Sequence, residues 1–192
     1  WVEKKNLPLS KRDYHSLQWL HYSLLQQGLI DEAASIFAIQ QKDMAEGIQT
    51  QSNLRAGKYY YRMLAASFIE TENWEFIEKF SPPDGWKPKS FSEAGYHFAR
   101  GFSAAMQGKI EEANKHLLEL KAIRKQDFKK NYYKRIEYLK VWELEIQTAV
   151  KLYQKDFETA IKLVKQAILL EEKLPSPTGP PRILKPSYEL LG

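Results

Sequence analysis

The feature that most constrains this chain is a pattern of paired helical segments that returns three times with the same internal spacing. In each copy a helical stretch ends at a break, and an apolar residue follows two positions later. An alanine comes three residues after that, and a large apolar residue four further on. The copies run over residues 14–37, 94–117 and 141–164. This spacing predicts helical hairpins that bury their faces against one another.

The residues at the break and at the alanine position have physical roles in such a hairpin. Gly28 and Gly108 stand where a first helix ends, and glycine closes a helix in the left-handed conformation with little strain. Lys155 takes that place in the third copy, where Asp156 can cap the next helix. Small residues then let the second helix approach its neighbour closely, above a layer of large apolar residues. The small residues are Ala33, Ala113 and Ala160, and the large ones are Phe37, Leu117 and Val164.

Two weaker copies extend the pattern to most of the chain. One has Ile77 at the alanine position, and the other is the beginning of a fifth first helix. We therefore predict a single domain over 1–192, with repeats near 14–45, 58–80, 94–122 and 141–173 and the start of a further repeat at 185–192. Long connections are predicted near 41–57, 81–90, 121–140 and 174–186. The last of these has five prolines in its final twelve residues, which is typical of a stiff, extended connection.

The pattern resembles the tetratricopeptide repeat family, which has an aromatic residue, a Leu-Gly pair, a turn and an alanine at comparable positions. The copies are degenerate, because Leu-Gly is intact only at Leu191-Gly192 and the family's leading tryptophan is replaced throughout. The replacements are Leu17, Tyr61, His97, Leu144 and Tyr188. Copies begin 44, 36, 47 and 44 residues apart, whereas about 34 is usual in the family. The resemblance implies an all-α fold, a right-handed α-α superhelix of stacked helical hairpins, with longer helices or inserted loops.

The resemblance also implies that an extended peptide or a partner subunit binds the concave face formed by the first helices. Helical geometry places the residues one, four and eight positions after each copy's start on one face. We therefore predict a partner-binding groove rich in aromatic residues, which often dominate binding energy. Its residues are His15, Gln18, Tyr22, Tyr59, Arg62, Phe98, Phe102, Trp142 and Glu145. The chain is thus expected to be a protein-protein interaction scaffold.

A basic segment leaves two alternatives open. Residues 121–140 hold eight basic and two acidic residues, a net of +6, whereas the other 172 residues carry 21 of the 29 basic and 22 of the 24 acidic ones. The basic patch comprises Lys121, Arg124, Lys125, Lys129, Lys130, Lys134 and Arg135, interleaved with aromatic rings. Such a segment is often a solvated helix face, but it also suits a nucleic-acid-binding adaptor. The other alternative is a structural module of a longer repeat protein, without a free ligand.

Several classes of function are disfavoured by what the sequence contains. With no cysteine there is no disulfide, thiolate metal site or cysteine nucleophile. His15 and His21 lie six residues apart, on opposite faces of a helix, and no phosphate-binding loop or nucleophile motif is recognisable. We therefore expect no enzyme activity, cofactor or metal site. No apolar run is long enough for membrane insertion, so a soluble chain is expected. The start at Trp1 is typical of a processed product or an excised piece.

Overall fold

A computed structural model describes residue 5 and residues 11–49, 54–74, 77 and 91–192, with 47–49, 54–55 and 91–92 described by their backbone alone. Over these ranges the fold is all-α, without a strand, as the sequence predicts. The helices are α1 (Tyr14–Gln26), α2 (Ile30–Gln49), α3 (Leu54–Thr71), α4 (Phe91–Met106), α5 (Ile110–Lys129), α6 (Tyr133–Tyr153), α7 (Phe157–Glu171) and the short α8 (Ser187–Leu191).

Four of the turns between consecutive helices are built in the same way. In each turn a residue with positive φ follows the end of the preceding helix. Its N–H and the N–H of the next residue donate hydrogen bonds to two carbonyl groups in the last turn of that helix. After α1, for example, Gly28 donates to Leu25 over 3.0 Å and Leu29 donates to Leu24 over 3.0 Å. The positive-φ residues are Gly28, Gly108, Asn131 and Lys155. This arrangement satisfies carbonyls that the helix end would otherwise leave without a donor.

The second helices begin where the sequence predicts. Asp156 caps α7, because its carboxylate accepts a hydrogen bond from the Thr159 N–H over 3.2 Å. Each of the alanines at the common position is buried, as are the large apolar residues four positions later. These are Ala33, Ala113 and Ala160, followed by Phe37, Leu117 and Val164. The alternation of small and large side chains at the helix interface is therefore confirmed.

The helices pack mainly on their neighbours in the sequence. α1 contacts α2, α4 contacts α5, and α6 contacts α7, so three pairs are hairpins. The first helices also contact one another, since α1 packs on α3, α3 on α4, and α4 on α6. Among the first helices, α4 therefore packs against more neighbours than α1 does.

Two predicted connections are wrong. α2 continues to Gln49, through most of the connection placed at 41–57, and the connection placed at 121–140 is reduced to the turn 130–132. In the second case the lysines and arginines are helix-forming residues on the exposed side of α5, and Leu120, Ile123 and Asp127 continue its buried side. The connection at 174–186 contains no helix, as predicted, and that at 81–90 lies outside the described residues.

None of the helices in the described ranges has the length and hydropathy needed to cross a membrane.

We expect Gly101→Ala and Gly95→Ala to change the free energy of unfolding in opposite directions, although both lie in α4. At position 101 a Cβ would lie 2.8 Å from Cδ1 of Ile146 and 3.1 Å from Cβ of His116. Such overpacking costs about 1–3 kcal/mol, which exceeds the gain in helix propensity. At position 95 no atom lies within 4 Å, so alanine should stabilise by about 0.5–1 kcal/mol. Urea denaturation of both variants measures the difference, and stabilisation by both would contradict close packing at Gly101.

Candidate functional site

Residues 174–186, here called the strap, run from the end of α7 back across the first helices. At Gly179 the strap passes so close to α1 that an added methyl group would overlap the indole of Trp19. Further along, Ile183 and Leu184 are buried, and the Arg182 guanidinium lies over the ring of Tyr138 on α6, 5.1 Å from its centroid. The strap therefore brings the last helical pair into contact with the first.

Hydrogen bonds and an ion pair fix the end of the strap. The N–H of Ser187 donates to Glu171 over 2.9 Å, and its hydroxyl donates to Glu145 over 3.2 Å. The ammonium group of Lys185 lies 3.4 Å from the carboxylate of Glu72, beyond the end of α3. These contacts join α3, α6 and α7 to the point where α8 begins.

Between the strap and the first helices lies an open groove with a volume of about 1440 Å³. Its walls are formed by α1, α3, the first turns of α6 and the strap. Pockets for small molecules are usually about 300–1,000 Å³, so this groove is large enough for a segment of polypeptide. A separate cavity of about 40 Å³ lies beneath Pro180 and Pro181. It has room for roughly three water molecules and for no larger ligand.

The structure divides the predicted groove residues into two groups. One group lines the groove: His15, Gln18, Tyr22, Tyr59 and Arg62. His15 is exposed and Tyr22 and Arg62 are partly buried, whereas Gln18 and Tyr59 are largely covered. The other group is buried and does not line it: Phe98, Phe102, Trp142 and Glu145.

The expectation that this second group lines the groove is therefore corrected. α4 packs against α3, α5 and α6, so its Phe98 stacks on Trp142 with ring centroids 5.3 Å apart, inside the core. The sequence rule assumed that all first helices present the same face to solvent. It fails for helices that have neighbours on several sides. Conversely, Trp19 and Tyr138 line the groove although the sequence pattern did not predict them. Nothing in the sequence shows where the strap crosses the first helices.

Glu145 is the most perturbed carboxyl group near the site. It is fully buried in α6, and burial raises its pKa well above the usual value, with a further contribution from the nearby Glu171. Its contact with the Ser187 hydroxyl and the charge of Lys185 oppose that shift. Glu145 therefore fixes α8 to α6 from the interior.

Arg62 has an unusual position for an arginine. It lines both the groove and the small cavity, and no described residue forms a hydrogen bond or ion pair with its guanidinium. Burial lowers the pKa of Arg62, and the positive charge of Arg182 lowers it further. The site thus contains two neighbouring guanidinium groups.

The basic patch forms the tip of the α5–α6 hairpin. Two of its members are held in ion pairs: Arg124 lies 2.6 Å from Glu143, and Arg135 lies 3.0 Å from Asp127. The others are exposed: Lys121, Lys125, Lys129, Lys130 and Lys134. Exposed rings accompany them, namely Phe128, Tyr132 and Tyr133. The patch is therefore a basic and aromatic tip, with Lys134 also lining the groove.

The histidines of the interior act as packing residues. His21 lies 3.0 Å from the Ser67 hydroxyl, and burial lowers its pKa to about 4. His97 and His116 share a hydrogen bond of 2.8 Å between their Nδ1 atoms, and burial lowers the pKa of both. Across the described ranges, no group of three or more His, Asp or Glu side chains is arranged to hold a metal ion.

Comparison of the chain with protein-family models, with curated proteins and with solved structures finds no match in any of the three.

We expect Glu145→Gln to gain stability relative to the wild type as the pH rises above about 4.5, the pKa of an ordinary glutamate. Because folding raises the pKa of Glu145, the folded state binds the proton of this carboxyl group more tightly than the unfolded state does. The resulting contribution to the free energy of unfolding is fully present below the unfolded-state pKa. That contribution is lost as the pH rises through the folded-state pKa, by up to about 1.4 kcal/mol per pH unit. Urea denaturation between pH 4.5 and 8 measures it. Glu137→Gln, on the exposed side of the same helix, is the control, and a pH-independent difference for Glu145→Gln would contradict the expectation.

Proposed function

We propose that the helical pairs stack as a right-handed α-α superhelix of tetratricopeptide-like hairpins, and that the chain is a protein-protein interaction scaffold. The contacts of α1 with α3, α3 with α4, and α4 with α6 are those that such a stack requires. The partner is a peptide or a neighbouring subunit that lies against α1, α3 and the beginning of α6. This face is smaller than the groove predicted from the sequence, because α4 contributes core residues.

The observation that supports this proposal most directly is the strap itself. It is a non-helical segment that lies along the first helices and buries two consecutive apolar residues, Ile183 and Leu184. The same face therefore accepts a non-helical polypeptide rich in proline within the molecule. Proline-rich segments bind with little loss of conformational entropy, because they are already extended before binding.

The chemistry of the groove also favours a polypeptide partner. His15, Trp19, Tyr22, Tyr59 and Tyr138 provide rings, and Trp19 is 39% exposed although it contacts the strap. Amides and charged groups of both signs lie among these rings, at positions where they can bind backbone and side-chain groups of a peptide. Aromatic residues with polar tips, at the centre of an interface, commonly contribute most of the binding energy.

A second candidate function rests on the basic tip. Five exposed lysines and three exposed rings at one end of the α5–α6 hairpin are suited to phosphates and unstacked bases. The peptide scaffold is preferred, because the groove has walls on several sides, whereas the lysines of the tip are exposed and both of its arginines already have carboxylate partners.

We expect Trp19→Ala and Tyr22→Ala to weaken binding of peptides selected against the intact chain by about tenfold or more, the usual loss for an aromatic contact at the centre of an interface. Phe128→Ala is the matched control, since Phe128 is a 64% exposed ring that does not line the groove. Peptide titration with each variant, after circular dichroism has verified folding, provides the measurement. Equal effects of the three substitutions would rule out the groove as the peptide site.

The salt dependence of binding separates the two candidates. If the basic tip binds nucleic acid, the logarithm of the affinity for a single-stranded oligonucleotide falls linearly with the logarithm of salt concentration. The slope should then decrease when Lys129, Lys130 and Lys134 are changed to glutamine. For the peptide scaffold we expect only weak dependence on salt, and no change of peptide affinity from Lys129→Gln and Lys130→Gln. Sequence-selective oligonucleotide binding at physiological salt would favour the second candidate.

A further inference from the structure

Residues 128–134, here called the tip segment, lie where α5 ends and α6 begins, and all of them are exposed. The segment reads Phe-Lys-Lys-Asn-Tyr-Tyr-Lys, so it contains three aromatic rings and three lysines. Phe128 is 64% exposed, Tyr133 58% and Tyr132 46%. Single exposed rings are ordinary, but several rings together at one turn are typical of a surface that another molecule covers.

Hydrogen bonds hold the tip segment in a defined conformation. Asn131 has a positive φ of 58°, and the N–H of Tyr132 donates to the carbonyl of Asp127 over 2.9 Å. The hydroxyl of Tyr133 donates to the side-chain carbonyl of Asn131 over 2.8 Å. Because this turn is ordered before a partner arrives, binding through it costs less conformational entropy than binding through a flexible loop.

The charge of the tip segment favours an anionic partner. The sequence has no acidic residue between positions 128 and 136. On one side, the carboxylate of Asp127 is paired with Arg135 over 3.0 Å. On the other side, Glu137 is paired with Lys140 over 2.8 Å. Lys134 lies in the first turn of α6, where the helix dipole favours acidic residues, so the dipole does not account for a lysine there.

The geometry of the rings favours a phospholipid bilayer over nucleic acid, the second candidate partner of this tip. The planes of Phe128 and Tyr133 are nearly perpendicular, at 84°, with centroids 6.3 Å apart. The Arg135 guanidinium lies over the ring of Tyr132, 4.8 Å from its centroid. The bases of a single strand stack on open ring faces, whereas these rings pack on each other and on Arg135. Among lipid headgroups, aromatic side chains need only a polar and an apolar end.

We propose that the tip segment docks on the surface of a bilayer that contains anionic phospholipids. The three rings lie at the depth of the headgroups, and the three lysines lie against the anionic groups there. Each lysine close to such a surface strengthens binding about fivefold, and the rings add buried apolar area. Docking at this depth requires no helix that crosses the bilayer. It does not depend on the proposed peptide groove, because the rings of the tip segment do not line that groove.

The first test measures co-sedimentation of the full chain with lipid vesicles. Vesicles of phosphatidylcholine alone are compared with vesicles of phosphatidylcholine and phosphatidylserine in equal amounts, at the same salt concentration. We expect markedly tighter binding to the mixed vesicles, because only these attract the lysines. Equal binding to the two kinds of vesicle, or binding to neither, would overturn the proposal.

Lysine variants then show whether the tip segment carries the charge effect. Lys130→Gln should weaken binding to the mixed vesicles about fivefold. Lys165→Gln is the control, since Lys165 is exposed on α7 and its loss changes the net charge of the chain by the same amount. The control should bind as the wild type does. If the two variants lose affinity equally, net charge and not the tip segment causes binding, and the proposal fails.

A pair of phenylalanine variants tests the contact of the rings. Phe128→Ala should weaken binding to the mixed vesicles severalfold, because less apolar area enters the headgroup region. Phe157→Ala is the matched control, since Phe157 is 58% exposed at the start of α7. Circular dichroism verifies that both variants fold. Equal affinities of the two variants would mean that Phe128 stays outside the bilayer, contrary to the proposal.

Hydrogen exchange locates the contact and separates a bilayer from nucleic acid. Mixed vesicles should slow the exchange of amides within 128–134 in the intact chain, and phosphatidylcholine vesicles should not. A single-stranded oligonucleotide is the comparison probe. Protection of the tip segment by the mixed vesicles supports the proposal. Protection by the oligonucleotide but not by the vesicles would assign the tip to nucleic acid instead, and protection by neither would exclude it as a docking surface for both.

Discussion

The fold depends on close approach of helices at small residues. Ala113 and Ala160 are buried in the second helices, and Gly101 in α4 lies against α5 and α6 with no room for another carbon atom. Helix axes can come this close only where side chains are small, and the gain is dispersion contact along the whole interface. The contact at Gly101 therefore sets how closely α4 packs on α5 and α6.

The strap determines which part of the first-helix face is accessible. By crossing from α7 to α1 it turns an open surface into a groove with walls on several sides. The buried Ile183 and Leu184 give this contact a hydrophobic component, and Lys185 and Ser187 give it polar ones. The position of Arg182 beside Arg62 follows from the same path, because residue 182 directly precedes the buried pair. Packing of the strap and the position of Arg182 in the groove therefore have a single structural origin.

Burial also explains why Glu145 is a structural residue and not one that contacts a partner. Its helical position matches that of groove residues in α1, but in α6 this side chain is buried and meets Ser187 at the start of α8. The carboxyl group is retained in the interior because Ser187 donates to it. Glu145, which occupies a helical position where the sequence pattern predicts a groove residue, therefore contributes to the contact between α6 and the start of α8.

The sequence by itself predicted the helical class, the turns at Gly28, Gly108 and Lys155, the buried alanines and the absence of helix from 174–186. Each of these follows from the backbone preferences of single residues or from the 3.6-residue period of a helix. Both depend only on residues that are close together in the sequence. Only the tertiary structure decided that Phe98 and Trp142 belong to the core, that Trp19 and Tyr138 line the groove, and that Arg182 lies beside Arg62. These positions depend on contacts between residues far apart in the chain, and a repeat pattern does not specify which side of each helix another segment will cover.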